Sequence, residues 1–228
     1  MPSISRSYLL STTVLALLLP IQSEGTEIGV LRESRYVIEG RDRLDGDDIY
    51  SLHGGYRYGN TGIGGQVVTG INTDYDEGRF WLNYELSIDN FEIVPAATYV
   101  TYSDNTPVDH EYSLTLIANS DEDSAATLHY VYSKQAAGGF WELNLTQHYS
   151  YYQLFTLSPF FTLAVNKGYV PDEHTGLNNA IVGLNLEYPL GRSFKLTGYA
   201  AYTRALNKKR GETLDNFGWA GIGIFYVQ

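Results

Sequence analysis

The sequence predicts an all-β fold, a single antiparallel transmembrane β-barrel of about twelve strands, with ten possible. Three observations predict it. Residues 80–88 read FWLNYELSI, which sets Phe80, Leu82, Tyr84, Leu86 and Ile88 on one face of a strand. Trp81, Asn83, Glu85 and Ser87 take the other face, the period of two that strands impose. The same apolar/polar alternation recurs along almost the whole chain behind an apolar leader. The connections between these segments alternate between short and long, the asymmetry of barrels in bacterial outer membranes.

The composition narrows the alternatives. The chain has 228 residues, enough for one domain, with 20 Tyr and 23 Gly against 9 Phe and 3 Trp. Tyrosine joins an apolar ring to a polar tip, which suits a membrane–water boundary. A net charge of −11 and a pI near 4.8 argue against nucleic acid as a partner, because phosphate contacts need a basic face. The absence of cysteine excludes disulfides and thiolate metal sites. Residues 1–25 read as an export signal: Arg6 gives a basic start, Tyr8–Leu19 an apolar run, and Pro20 ends it. The run is shorter than the roughly 20 apolar residues that span a bilayer. The exit IQSEG allows cleavage after Ser23 or Gly25. Residues 26–228 then form the barrel domain. No later segment reads as a helical span, so the mature chain can cross a membrane only as a closed barrel. A secreted, soluble β protein is the alternative fold.

The strands follow in order. The first covers Thr26–Glu39. The second, Ile49–Tyr58, opposes Tyr50, Leu52, Tyr56 and Tyr58 to Ser51, His53 and Arg57. The third, Ile63–Ile71, is Gly-rich and weak, and the fourth is FWLNYELSI. The fifth, Phe91–Tyr102, contains Pro95, which normally demotes a strand to an edge or a bulge. The sixth, Glu111–Asn119, opposes Tyr112, Leu114 and Leu116 to Glu111, Ser113, Thr115 and Asn119. The seventh, Ala126–Ser133, turns Thr127 and His129 inward. The eighth opposes Trp141, Leu143, Leu145 and Tyr149 to Glu142, Asn144, Thr146 and His148. The ninth, Leu157–Asn166, opposes Phe161, Leu163 and Val165 to Ser158, Thr162 and Asn166. The tenth turns Asn185 and Glu187 inward, and the eleventh Lys195, Thr197 and Thr203. The twelfth, Phe217–Val227, is apolar on both faces and carries small residues on both.

The links YGNTG, Asp89–Asn90 and PLGRS are short and read as periplasmic turns. RDRLDGDD, NTDYDEG, SDNTPVD, NKGYVPDEHTGL and NKKRGETLD are longer, more charged and read as solvated outer loops. The segment SRYVIEGRDRLDG (Ser34–Gly46) resembles the first hairpin of the TorF-type porins, through Tyr36, Val37, Ile38, Gly40, Asp45 and Gly46. Glu39 stands where that family has Arg. The resemblance implies an outer-membrane barrel and brings no catalytic residues. The chain ends GIGIFYVQ, with Gln228 where outer-membrane barrels usually end on an aromatic residue for their assembly machinery.

The predicted lumen face is net acidic, and its pore-lining candidates are Arg35, His53, Arg57, Glu85, Glu111, His129, Glu142, His148, Glu187 and Lys195. They imply passive passage of small solutes, leaning toward cations. A narrow barrel filled by paired side chains and working through its outer loops is the alternative, since about twelve strands fall between filled and open barrels. A third class, a barrel hydrolase, would need His129, Asn144 and a serine such as Ser113 together. No cofactor is implied, and DRLDGDD and PDEHTG miss the spacing of an EF-hand. The expected partners are membrane lipid, lipopolysaccharide, small solutes and the outer-membrane assembly machinery. The basic tract NKKRG (Asn207–Gly211) could meet lipid phosphates at the rim.

Overall fold

The structure, a computed structural model, describes residues 25–103, 106–119, 123–152, 154–169, 175–206 and 214–228. The expected export signal, short of Gly25, and the tract Asn207–Gly211 lie outside the described residues, as does most of PDEHTG. The elements in chain order are β1 (Gly25–Glu33), β2 (Val37–Ile38), β3 (Arg41–Asp42), β4 (Ile49–Tyr58), β5 (Thr61–Gly70), β6 (Asp76–Tyr84), β7 (Leu86–Ile88) and β8 (Phe91–Tyr102). They continue as β9 (Asp109–Asn119), β10 (Ser124–Ser133), β11 (Gly138–Gln147), β12 (Tyr149–Tyr151), β13 (Phe155–Lys167), β14 (Gly176–Pro189), β15 (Phe194–Ala205) and β16 (Phe217–Val227). Every pairing between named strands is antiparallel, and β16 returns to β1 with Leu31 opposite Gly223. The wall is a closed barrel of 12 strands, in which β6 with β7, and β11 with β12, each form one wall strand.

Proline chemistry explains both interruptions. The shared register sets Tyr84 opposite Pro95 and Gln147 opposite Pro159. Proline has no N–H to give to the ladder, so the strand breaks there and resumes in the same register. On the other side each proline stays paired, Pro95 with Leu114 and Pro159 with Leu184. The expectation that Pro95 weakens the fifth strand is therefore corrected. β8 runs 12 residues and pairs on both sides, and β5 is likewise complete.

The faces divide as the alternation predicts. Ile28, Leu52, Leu82, Leu114, Leu145, Leu184 and Ile224 are exposed around the outside. Tyr56, Tyr58, Tyr84, Tyr149 and Tyr188 ring the end with the short turns, and Tyr50, Tyr99, Tyr112, Trp141 and Tyr202 the opposite end. Apolar outside, polar inside and girdled by aromatics, the molecule is an outer-membrane barrel. The first and last wall strands meet at the turn end, where Thr26 and Gln228 exchange backbone hydrogen bonds of 3.2 and 3.0 Å.

Two expectations change. The last strand does carry small residues on both faces, Gly218 and Ala220 outward and Gly221 and Gly223 inward, but its inward face also holds the buried rings of Phe217, Trp219 and Phe225. Inward aromatics sit over glycines directly across the ladder, Phe225 on Gly29, Trp81 on Gly64, Phe160 on Gly183 and Tyr199 on Gly221. A glycine beneath each ring lets it lie flat on the wall. The first strand also stops at Glu33. The chain then turns into the barrel, where β2 and β3 form a small hairpin. RDRLDGDD is thus not simply a solvated outer loop, because its leading residue Arg41 is only 4% exposed.

Local chemistry drives that inward turn. Tyr36, Val37 and Ile38 would be apolar in solvent, and each finds a buried seat. Val37 packs with Leu31, Phe160, Ile181, Tyr199, Phe217 and Trp219, while Tyr36 and Ile38 pack with Ile49 and Val68. The two-residue tip, Glu39 and Gly40, has φ of 49° and 72°, the backbone of the tight hairpin turn that follows strand twist. A bulge in β14 near Asn178 turns both Asn178 and Asn179 inward. Asn178 Nδ2 donates to the Glu39 carbonyl at 3.0 Å, and a Cβ on Gly40 would lie 2.1 Å from Asn179.

Candidate permeation path

The hairpin divides the loop-end half of the lumen. Its apolar side chains are seated on the walls named above. Its charged tip lies in electrostatic contact with Arg79, Glu111 and Glu142 of the facing strands. These residues form a polar cluster. Arg79 stands between two carboxylates, bonded to Glu77 through Nε and to Glu111 through a 3.2 Å contact. Tyr36 donates to Glu77 at 2.7 Å, Tyr75 donates to the same carboxylate, and Tyr169 donates to Glu111. Burial, reinforced by the adjacent carboxylates, pushes the Tyr36 and Tyr169 hydroxyls well above their ordinary range. They therefore remain protonated donors. Arg41 pairs with Glu39 at 3.3 Å.

The ten pore-lining candidates distribute along the axis. Arg35 stands at the loop-end mouth, bonded to Asp42 and 5.3 Å over the Phe217 ring. Glu111 belongs to this cluster. Glu142 points inward beside it, 6% exposed and without a cation within salt-bridge distance among the described residues. The three inward histidines each rest on a hydroxyl: His53 on Ser51 at 2.8 Å, His129 on Thr115 at 2.7 Å and His148 on Ser158 at 2.8 Å. Arg57 and Glu85 form a 2.7 Å ion pair toward the turn end, and Lys195 lies 3.5 Å from Glu27 with Glu187 nearby. All ten sit inside the barrel or at its mouth, but they do not converge on one point.

The hydrolase arrangement is not assembled. Asn144 spends its side chain on Thr162 and Thr146 at 2.8 and 2.6 Å, while His129 is held by Thr115. Sequence reasoning missed Glu77 and Arg79, although the alternation of FWLNYELSI extends upstream to include them. It also missed Tyr169 and Asn178. Tyr169 is in a loop, and Asn178 lies at a bulge where the period of two fails.

No family model matches the chain, and no curated protein matches its sequence. Solved structures do match its fold. A KdgM porin superposes with a TM-score of 0.64 at 16% identity, covering 88% of this chain and 98% of that one. A NanC porin gives 0.60 at 13% identity over 87% and 98%. An outer membrane channel from Pseudomonas putida F1 gives 0.54 at 9% identity over 92% and 97%. With these shares of both chains aligned, the fold is that of a porin-type outer-membrane barrel.

Proposed function

We propose that this barrel passes small solutes passively across the outer membrane, by a path that its own first loop narrows, with a lean toward cations. The observation that carries the reading is the polar cluster between the hairpin and the wall from β6 to β11. There Glu39, Glu77, Glu111 and Glu142 outnumber Arg41, Arg43 and Arg79, which supports a preference for cations over anions. The finer kinship with TorF-type porins rests on the hairpin residues Tyr36, Val37, Ile38, Gly40, Asp45 and Gly46. Exposed Arg32, Lys134 and Arg204 at the loop-end rim support contact with lipopolysaccharide phosphates.

The test is planar-bilayer conductance under a salt gradient. A reversal potential of the sign set by cations, and a larger conductance after residues 36–43 are replaced by a short Gly-Ser link, are expected. No conductance in either form, or an anion preference, sinks the reading. The secure seating of the hairpin favours a second reading, a plugged barrel that works through its outer surface. Such a barrel would conduct only after the excision.

A further inference from the structure

The wall made by β10 and β11 carries polar capacity that the protein leaves unused. Across the register His129 opposes Glu142, and Thr127 opposes Asn144. All four point inward, and directly opposed Cβ atoms lie roughly 5 Å apart, so they form one patch. Asn144 is fully engaged by its threonines. His129 spends Nδ1 on Thr115, and Nε2 has no partner among the described residues. Thr127 is 3% exposed and its enclosed Oγ1 has no hydrogen-bond partner among the described residues. Glu142, 6% exposed, has neither a hydrogen bond nor a cation among the described residues. Native structures rarely leave such groups unmatched, and a withdrawn carboxylate without a counter-charge is costly.

A positive partner rich in donors would match these groups. A primary ammonium has three N–H donors and one charge. The patch offers a carboxylate, an imidazole nitrogen and a hydroxyl that turns toward the lumen by rotation about χ1. Glu39 on the hairpin adds a second negative charge within electrostatic reach of Glu142. A metal ion is the poorer match, since no group of 3 or more His, Asp or Glu among the described residues could hold one. We propose that Thr127, His129 and Glu142 form a binding site for the primary ammonium group of a small organic amine, below the first-loop hairpin. It deepens the cation-leaning channel reading and rests on that reading only for the route by which the amine arrives.

The experiment is a calorimetric titration of the folded full chain in detergent with n-propylammonium, with tetramethylammonium, calcium and zinc as comparison ligands. The same preparation is tested for bilayer conductance. Propylammonium is expected to bind and tetramethylammonium, which lacks N–H donors, to bind at least several-fold more weakly. Glu142→Gln should weaken propylammonium roughly tenfold or more, the scale of a charge-assisted hydrogen bond. Thr127→Val, nearly isosteric, should weaken it a few-fold and carries the test if the first variant fails to show heat-modifiable migration. Equal binding of tetramethylammonium, affinity unchanged in the variants, or preferential binding of calcium or zinc overturns the proposal. A chain that conducts without binding the amine overturns the site alone. One that binds the amine without conducting supports the site and overturns the channel reading.

Discussion

Gly29 shows how closely single residues fit this lumen. It lies directly across from Phe225, and a Cβ there would fall 2.1 Å from the ring. The ring also has Lys195 5.5 Å from its centroid and His53 at 6.0 Å. Gly29→Ala must push Phe225 off the wall, so it should cost about 1–3 kcal/mol, the usual cost of overpacking. Urea unfolding of the reconstituted barrel measures this, and an unchanged midpoint would show that the ring moves freely. Glu39 acts differently, because its consequence is electrostatic. Burial raises its pKa above the ordinary 4.5, against the pull of Arg41, Arg79 and Arg43, while Glu111 adds to the rise. Glu142 faces it as well. The docked hairpin therefore holds this proton more tightly than a released hairpin would. Docking is at full strength below the ordinary value and weakens as pH rises from there through the raised one. Conductance should thus be lower near pH 4 than near pH 7, and Glu39→Gln should flatten that step. A step that survives the substitution would assign the pH response to another group.

At the scale of elements, Pro95 and Pro159 do the same thing to two strands. Each removes one ladder hydrogen bond and splits a wall strand without shifting its register. Pro95→Val restores an N–H opposite Tyr84 and places a β-branched residue on the outer face. It should stabilise the barrel by about 0.5–1.5 kcal/mol, the net worth of one hydrogen bond. Hydrogen exchange at residues 84–86 should slow in the variant, and unchanged protection there would refute the account of the break. These elements also show what the sequence made legible. The inward and outward faces of β4, β9, β10 and β11 follow from the period of two alone. Pro95 misled because a proline in a closed barrel loses a bond on one side only. The inward hairpin was not legible as such. Tyr36–Ile38 read as a continuing strand, and their seats on Ile181, Trp219 and Val68 come from strands far away in sequence. The ten candidate residues were legible as inward positions. Their partners, such as Thr115 for His129 and Asn178 for the Glu39 carbonyl, depend on register and on a bulge, and periodicity carries no sign of either.

The barrel wall is an inverted globule, with most of its charges inside and most of its leucines and isoleucines outside, and only a bilayer makes that arrangement favourable. Closure satisfies every wall strand on both sides, so no edge is left for lipid to meet. The inside can then carry Arg79, Glu77 and Glu111 because they neutralise one another and face polar neighbours, whereas a charge on the outside would meet hydrocarbon. Adjacent residues on one strand should therefore respond in opposite ways to the same substitution. Leu114 lies in the middle of β9 and is 41% exposed on the outer band, while Ser113 beside it faces the lumen. Leu114→Arg should cost about 2–4 kcal/mol of stability in a bilayer, the cost of a midplane cation on a lipid face. Ser113→Arg should cost clearly less and should instead shift the reversal potential away from cations, because the new charge joins the water-facing side. Unfolding titrations in lipid vesicles, paired with bilayer recordings, read both effects. Equal destabilisation by the two substitutions would mean that these faces are not divided between lipid and lumen, and the membrane placement of the fold would fall with that result.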